Sequence, residues 1–258
     1  MNENQQPGAP FLSLVIPAYN ESKRIARSLK DLKSFFASFG SSIEIILVIE
    51  KSTDNTVEIT KKTVGNDPHF IIIANDVQRG KGYAVKTGML KARGETVFFT
   101  DLDLSTPLVE VIAFLGHFES NPQVDILIGS RQHAKSQILK RQNPIRQKMG
   151  QMFNFFVQLF AVKGITDTQC GFKAFRKKTI EPIFSRQTIN GFSFDVEILL
   201  LAQYLGYKTE VLPVKWTNDP DSKVHIIRDS LKMFFDLLRV KRLVKKTLSS
   251  SPPQKVLK

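Results

Sequence analysis

Two carboxylates one residue apart, Asp101 and Asp103, close the apolar run Val97–Thr100. At the end of a buried strand such a pair can reach one hard cation, directly or through water. Mg2+ and Mn2+ prefer oxygen ligands and commonly bridge protein carboxylates to substrate phosphates. The competing reading is a solvated turn, with Ser105-Thr106-Pro107 opening the next helix. Arg79-Gly80-Lys81-Gly82 adds two cations and two glycines just ahead of a helix. Glycines let backbone approach a phosphate, and a helix N-terminus favours an anion. The segment is not a Walker A loop, because the spacing differs and no Ser or Thr follows the lysine. An exposed basic turn is its alternative. Glu50 ends another apolar run, where it could read a base or a ribose or simply face solvent. Asp54-Asn55-Thr56 reads best as a helix cap.

Further cations, Arg131, Lys140, Arg141 and Arg146, bracket the Phe-rich stretch Met149–Phe160. Guanidinium groups suit a phosphate, and the aromatics could face an apolar chain or a bilayer, although core packing is expected for most of them. The four histidines, His69, His117, His133 and His225, show no ligand or catalytic spacing, and no Ser-His-Asp arrangement is visible.

The elements that must position these groups follow from the apolar pattern. Phe11–Pro17, Ile43–Ile49, Phe70–Ala74 and Val97–Thr100 read as strands, alternating with helices over 22–39, 54–64 and 82–92. Continuous Val/Ile/Leu runs separated by helices fit a parallel sheet covered on both faces. Ligands in such sheets sit beyond the carboxyl ends of the strands. Those ends carry Pro17–Glu21, Glu50–Asp54, Arg79–Gly82 and Asp101–Asp103, which therefore converge on one edge. Further along, 124–129 reads as a strand, 145–162 and 194–203 as helices, 208–216 as a strand, and 224–246 as a helix with an apolar stripe at Ile227, Leu231, Phe234 and Leu238. Residues 1–10 and 249–258 read as flexible ends.

The chain has 258 residues, enough for one large α/β domain, or for one domain with a C-terminal extension. One cysteine, Cys170, rules out an intramolecular disulfide and suits a reducing compartment. The polar start resembles no signal peptide, and no apolar run reaches the roughly 18–20 residues of a spanning helix. A net charge of +13 calls for an anionic partner without choosing among nucleic acid, acidic lipid and phosphorylated substrates. Arg228, Lys232, Arg239, Lys241, Arg242, Lys245 and Lys246 accompany the terminal apolar stripe. A basic amphipathic helix of this kind can lie in a membrane interface or pack on the domain.

The order of motifs resembles the family 2 glycosyltransferases, within them the polyprenyl-phosphate hexosyltransferases. The matching segments are IPAYNES (16–22), STDNT (52–56), RGKGYAVKTGM (79–89), FTDLDLSTP (99–107), GSR (129–131), DTQCGFKAF (167–175), FSFDVEIL (192–199) and VKWTNDPDSKV (214–224). The resemblance implies a GT-A (Rossmann-like) fold over 11–222, a membrane-associating helix over 223–248, and Mg2+ or Mn2+ as cofactor. It implies an inverting transfer of a hexose, with UDP-glucose favoured as donor, to a polyprenyl or dolichyl phosphate. The enzyme would be cytoplasmic and peripheral on the inner face of an anionic membrane, with no nucleic acid as partner. Carried over by residue, Pro17, Tyr19, Glu21 and Glu50 would hold the nucleoside, with Arg79 and Lys81 nearby. Asp101 and Asp103 would hold metal and diphosphate, and Ser222 and Lys223 would close over the phosphates. Arg131 and Arg146 would bind the acceptor phosphate, and Asp167, Gln169 and Lys173 would line the reaction centre. The family usually has Asp-Asp-Gly-Ser where this chain has Ile49-Glu50-Lys51-Ser52, and an asparagine where Gln78 precedes RGKG. Many relatives also carry transmembrane helices. Rival readings are a family 2 enzyme using a glycan or protein hydroxyl, one moving mannose from GDP-mannose, and a non-catalytic nucleic-acid binder.

Overall fold

The computed structural model describes residues 10–37, 39, 42–219 and 226–250, with the side chains of 145, 146, 226–229 and 250 outside that description. The expected flexible ends therefore fall almost wholly outside it, as do Ser222 and Lys223.

The apolar runs form the strands they predict. β1 (Leu12–Ala18), β2 (Ile43–Ile49), β3 (Phe70–Ala74) and β4 (Thr96–Thr100) pair in parallel, and β2 is buried at all seven positions. Burial on both faces is why these strands read as unbroken hydrophobic runs. Beyond β4 come β7 (Phe172–Arg176), β5 (Ile126–Ser130) and β8 (Thr209–Pro213), giving the order β3-β2-β1-β4-β7-β5-β8. Strand β7 runs antiparallel to both β4 and β5. A mostly parallel sheet with one reversed strand agrees with the expected fold class.

One face of the sheet buries α1 (Ile25–Ala37) and α4 (Glu110–Ser120) through Ile25, Leu29, Leu32, Val111 and Phe114. Phe98, Phe114 and Phe172 meet there at centroid distances of 4.9–6.2 Å. Aromatic pairs at such distances add about 0.5–1.5 kcal/mol beyond their buried area. The other face buries α3 (Lys81–Lys91), α6 (Lys177–Phe184) and α7 (Phe194–Tyr204), with α5 (Pro144–Phe160) and α8 (Ile226–Ser250) packed beyond them. Helix α2 (Thr56–Val64) lies beside α1 and β3.

Several elements depart from the sequence reading. The single strand expected over 208–216 is two: β8 in the main sheet, and β9 (Lys215–Thr217), which pairs with β6 (Gln137–Lys140) in a separate ribbon. Pro213 ends β8, and the Val214 amide donates to the Ser136 hydroxyl at 3.3 Å rather than to a neighbouring strand. Proline offers no ladder donor, so the change of sheet falls there. Of the α5 phenylalanines expected in the core, Phe153 and Phe156 pack against it, but Phe155 and Phe160 are exposed.

Candidate active site

The carboxyl ends of β1, β2 and β4 open into a cleft of about 810 Å3. Pro17, Tyr19, Glu21, Glu50, Arg79, Lys81, Asp101, Asp103, Arg131 and Gln169 all line it. Ten residues expected at one site from separate motifs thus share one cavity.

Asp101 and Asp103 occupy the turn after β4. The Ser105 amide donates to Asp103 Oδ1 at 2.9 Å, and the intervening Leu104 has φ of 51°. That left-handed conformation costs a non-glycine residue roughly 1–2 kcal/mol, a strain held beside the pair. Lys81 Nζ reaches Asp101 Oδ1 at 2.7 Å. On the far side, a Cβ built on Gly171 would stand 2.0 Å from Asp101 Oδ2, so glycine is what lets the carboxylate lie there. Burial, and then the charge of Asp101, push the Asp103 carboxyl above its usual range. Two crowded carboxylates with a neutralising deficit fit a hard divalent cation. Among the described residues no third His, Cys, Asp or Glu completes a metal-holding group with them. Mg2+ and Mn2+ commonly take one or two carboxylates and fill their shells with water and substrate phosphate.

The RGKG turn works differently from the expectation of backbone amides cradling a phosphate. Glu50 accepts the amides of Arg79 and Gly80, the latter at 2.8 Å, and the Asn75 side-chain amide at 2.6 Å. The Gly82 and Tyr83 amides, at the N-terminus of α3, donate to the Asn190 carbonyl at 2.8 and 3.3 Å. Asn190 O lies 2.6 Å from where a Cβ on Gly80 would stand. Gly80 also has φ of 117°, so packing and backbone both demand glycine. The amides of 79, 80, 82 and 83 are therefore spoken for, and Lys81 Nζ reaches the Asp101 carboxylate from this turn. The Arg79 guanidinium stacks on Tyr83 at 4.4 Å. Glu50 is buried, and its two oxygens hold this turn together.

Arg131 follows β5. Asp167 receives its Nε at 2.8 Å, its Nη2 at 2.7 Å and its amide at 2.8 Å. This bidentate grip fixes the guanidinium plane. Burial opposes the charge of Arg131, yet Asp167 raises its pKa above the ordinary value. The Trp216 ring centroid lies 5.5 Å from the guanidinium carbon. Asp167 is fully buried behind Arg131, so it positions the arginine rather than lining the cleft.

Lys173 corrects a second expectation. It is fully buried in β7, with Nζ donating to the Cys170 carbonyl at 2.6 Å and paired to Asp195 Oδ1. It does not line the cleft and cannot contact an acceptor phosphate there. Asp195 does line it; burial pushes its carboxyl up, while Lys173 and Lys81 pull it back. Arg146 lies in α5 with its side chain outside the described residues.

Sequence reasoning missed Asp195, Asn154, Trp216, Asp219, Lys232 and Asp236, all on the cleft wall. Asp195, Trp216 and Asp219 stand inside motifs already singled out, FSFDVEIL and VKWTNDPDSKV. Asp219 Oδ2 holds Arg24 at 2.7 Å, and Arg24 Nε meets Glu21 at 2.5 Å. Asn154 and Asp236 belong to α5 and α8, where the pattern signalled only amphipathic helices. Asp54, read as a cap, accepts the Thr56 amide at 3.1 Å where α2 begins and the Ser22 amide at 3.1 Å, joining two cleft loops.

Comparison with known proteins extends this picture. The family model described as "Glycosyl transferase family 2" matches residues 13–184. The dolichyl-phosphate beta-glucosyltransferase of Saccharomyces cerevisiae is 35% identical over 257 residues, covering 93% of this chain and 77% of that protein. The dolichyl-phosphate beta-glucosyltransferase of Dictyostelium discoideum is 33% identical over 250 residues, covering 93% and 76%. Among solved structures, glucosyl-3-phosphoglycerate synthase from Mycobacterium tuberculosis, in complex with Mn2+, uridine diphosphate and phosphoglyceric acid, superposes with a TM-score of 0.63 at 16% identity, covering 96% of this chain and 81% of that one. From the DxD turn after β4 to the reversed strand that follows Gly171, the architecture and the matched sequence agree, and the chain belongs to glycosyl transferase family 2.

Proposed function

We propose that this chain transfers glucose from UDP-glucose to a polyprenyl or dolichyl phosphate, with inversion at the anomeric carbon. The observation that carries the reading is one cleft with two differently anchored charged groups, each suited to a phosphate. One is the Asp101–Asp103 turn beside Lys81; the other is the Arg131 guanidinium gripped by Asp167. The yeast and Dictyostelium relatives, both dolichyl-phosphate beta-glucosyltransferases, support the acceptor.

In this reading Pro17, Tyr19 and Glu21 face the nucleoside, and Lys81 meets the diphosphate. Ser222 and Lys223, outside the described residues, keep the phosphate-closing role that the motif resemblance implies for them. A divalent cation, Mg2+ or Mn2+, on Asp101 and Asp103 supplies positive charge against the leaving diphosphate. Arg131, with Gln169 and Arg146, holds the lipid phosphate. An oxygen of that phosphate bonds to the anomeric carbon as the bond to the diphosphate oxygen breaks, and the electron pair leaves with the nucleoside diphosphate. The nucleophile is already ionised at neutral pH, so the protein supplies positioning and charge stabilisation rather than a strong base.

Such an acceptor requires work at a membrane surface, which we assign to an anionic membrane on its cytoplasmic side. Support comes from α5 and α8. Met152, Phe155 and Leu159 share one exposed face of α5, and Leu231, Phe235 and Leu238 one exposed face of α8. Phe156 and Phe234, 5.6 Å apart, join the two helices. Arg239, Lys241, Arg242, Lys245 and Lys246 flank the α8 face with positive charge. Each such residue adds about 1 kcal/mol near an anionic surface. Among the described residues no helix is long and apolar enough to cross a membrane.

The test is transfer of labelled sugar from a panel of nucleotide-sugars to a short polyprenyl phosphate, with Mn2+ or with EDTA, alongside Asp103→Asn. Metal-dependent lipid-phosphate sugar from UDP-glucose, lost in Asp103→Asn, is expected. Slow hydrolysis of a donor without lipid product would remove the acceptor assignment, and near-normal turnover of the variant would remove the metal role.

A further inference from the structure

Helix α5 presents three different surfaces. Val157 enters the core, Met152 and Phe155 face outward, and Gly150, Phe153 and Asn154, at the i, i+3, i+4 spacing of one helical face, line the cleft. Asn154 is only 5% exposed, and its Oδ1 has no hydrogen-bond partner. A buried carbonyl oxygen left unpaired costs free energy, and an apolar residue of the same size would avoid that cost. A polar side chain kept in this position is explained by a ligand that brings a donor.

What the ligand brings can be specified. A phosphate at neutral pH offers acceptors, and an isoprenoid chain offers neither donor nor acceptor, so neither satisfies an amide oxygen. A hydroxyl does. Gln169, which lines the same cleft, has its Nε2 likewise without a partner. Gln169 stands two residues before Gly171, against which the Asp101 carboxylate lies. The cleft thus offers one unpaired acceptor on α5 and one unpaired donor close to the diphosphate turn. Both residues line the cleft that the Asp101–Asp103 turn opens into, and a sugar attached to a diphosphate there would extend into it. The ribose hydroxyls belong with the nucleoside, at the ends of β1 and β2.

We propose that Asn154 accepts a hydrogen bond from a hydroxyl of the transferred hexose and contributes to the choice of sugar. This rests on the donor assignment above and adds a specificity residue from α5 to it.

The experiment compares wild type, Asn154→Leu and Asn154→Asp by calorimetric titration with UDP-glucose and with UDP in the presence of Mn2+, then by transfer kinetics. Leucine removes the acceptor while keeping the branched shape; aspartate keeps it and adds a negative charge. Wild type is expected to bind UDP-glucose more tightly than UDP. Asn154→Leu should lose that preference by about 10- to 100-fold while UDP affinity stays within twofold, and Asn154→Asp should retain most of it. In wild type one monodeoxy analogue of UDP-glucose should show the same loss, and Asn154→Leu should no longer distinguish it from UDP-glucose. An unchanged preference in Asn154→Leu would overturn the proposal. So would an aspartate variant worse than the leucine one with a raised KM for polyprenyl phosphate, which would put a phosphate beside Asn154. If wild type binds UDP-glucose but glucosylates no polyprenyl phosphate, the acceptor assignment fails while the binding comparison still decides the role of Asn154.

Discussion

Replacing Gly171 with alanine perturbs the carboxylate pair without touching it. The added Cβ would lie 2.0 Å from Asp101 Oδ2 and 2.6 Å from its Cγ, where ordinary contact begins near 3.4 Å. The carboxylate or the start of β7 must therefore move by about 1.4 Å. Gly171 is not at positive φ, so alanine suits the backbone and the penalty is steric. Movement of Asp101 also breaks its 2.7 Å pairing with Lys81. A displacement of about 1 Å at a reacting centre costs on the order of 10²-fold in rate, so transfer by Gly171→Ala should fall by about that factor or more. Mn2+ binding, followed by electron paramagnetic resonance, should weaken in parallel, with Tm changing by only a few degrees. Gly116→Ala is the control: nothing lies within 4 Å of its Cβ position, in an exposed stretch of α4. It should gain about 1 kcal/mol of stability and keep full activity. Gly171→Ala with turnover within threefold of wild type and unchanged Mn2+ binding would refute the claim that this glycine seats Asp101.

Four further outcomes are expected. Arg131→Lys loses the two-point grip of Asp167 and should lower transfer by about 10²-fold with little effect on UDP affinity; a raised UDP dissociation constant would move Arg131 to the donor side. Lys173→Met leaves Asp195 buried without its partner and should cost roughly 3–5 kcal/mol in urea unfolding, whereas a loss below about 1 kcal/mol would mean that Asp195 finds compensation elsewhere. The Cys170 thiol, pushed up to about 12 mainly by burial, should resist a thiol reagent at pH 8 in the folded protein and react on unfolding. Burial works against ionisation of Asp54, but hydrogen bonds from Thr56 and Ser22 hold its carboxyl down to about 2. A depressed folded-state pKa gives stability that is present above the unfolded value and lost as pH falls through the folded one. The Tm advantage of wild type over Asp54→Asn should therefore be full above about pH 4 and fade towards pH 2; a constant difference across that range would refute the ionised role.

The first half of the fold was legible because its strands are buried on both faces and its helices supply a clear 3.6-residue stripe. The reversed strand β7 was not. Phe-Lys-Ala-Phe-Arg carries a lysine at a position that is fully buried, and only the Asp195 and Cys170 partners, distant or local in ways hydropathy does not register, make that tolerable. The same blindness put Lys173 and Asp167 in contact with substrate: motif order identifies residues that gather at a site but not which of them face it. Glu50 shows the reverse case. Its place at a strand end was readable, but that its oxygens would be taken by the Arg79 and Gly80 amides depends on the return of 75–80 from β3. Asn154 carried no local signal, since one asparagine in an amphipathic helix acquires meaning only when the helix is packed beside a cleft.

The occupied amides of the RGKG turn bear on why the site should require a cation. A phosphate bound at a free helix N-terminus gains from unpaired N–H groups and the helix dipole. Here the amides of 79 and 80 serve Glu50, and those of 82 and 83 serve Asn190. Of the side-chain cations on the cleft wall, Lys81 and Arg131 are already paired, while the Arg79 guanidinium lies over Tyr83. Lys81 answers Asp101 and feels Asp195, and Arg131 answers Asp167. A diphosphate entering beside Asp101 and Asp103 would therefore add negative charge to a turn whose positive charge is already matched. Burial strengthens that repulsion rather than screening it; burial, and then the charge of Asp101, already hold the Asp103 carboxyl above its usual range. A divalent cation restores balance and leaves both carboxylates as ligands at neutral pH, which protonating the pair would not. Metal-independent binding of UDP at pH 7.5, as tight as in the presence of Mn2+, would show that the matched charges rearrange on their own and that this reasoning fails.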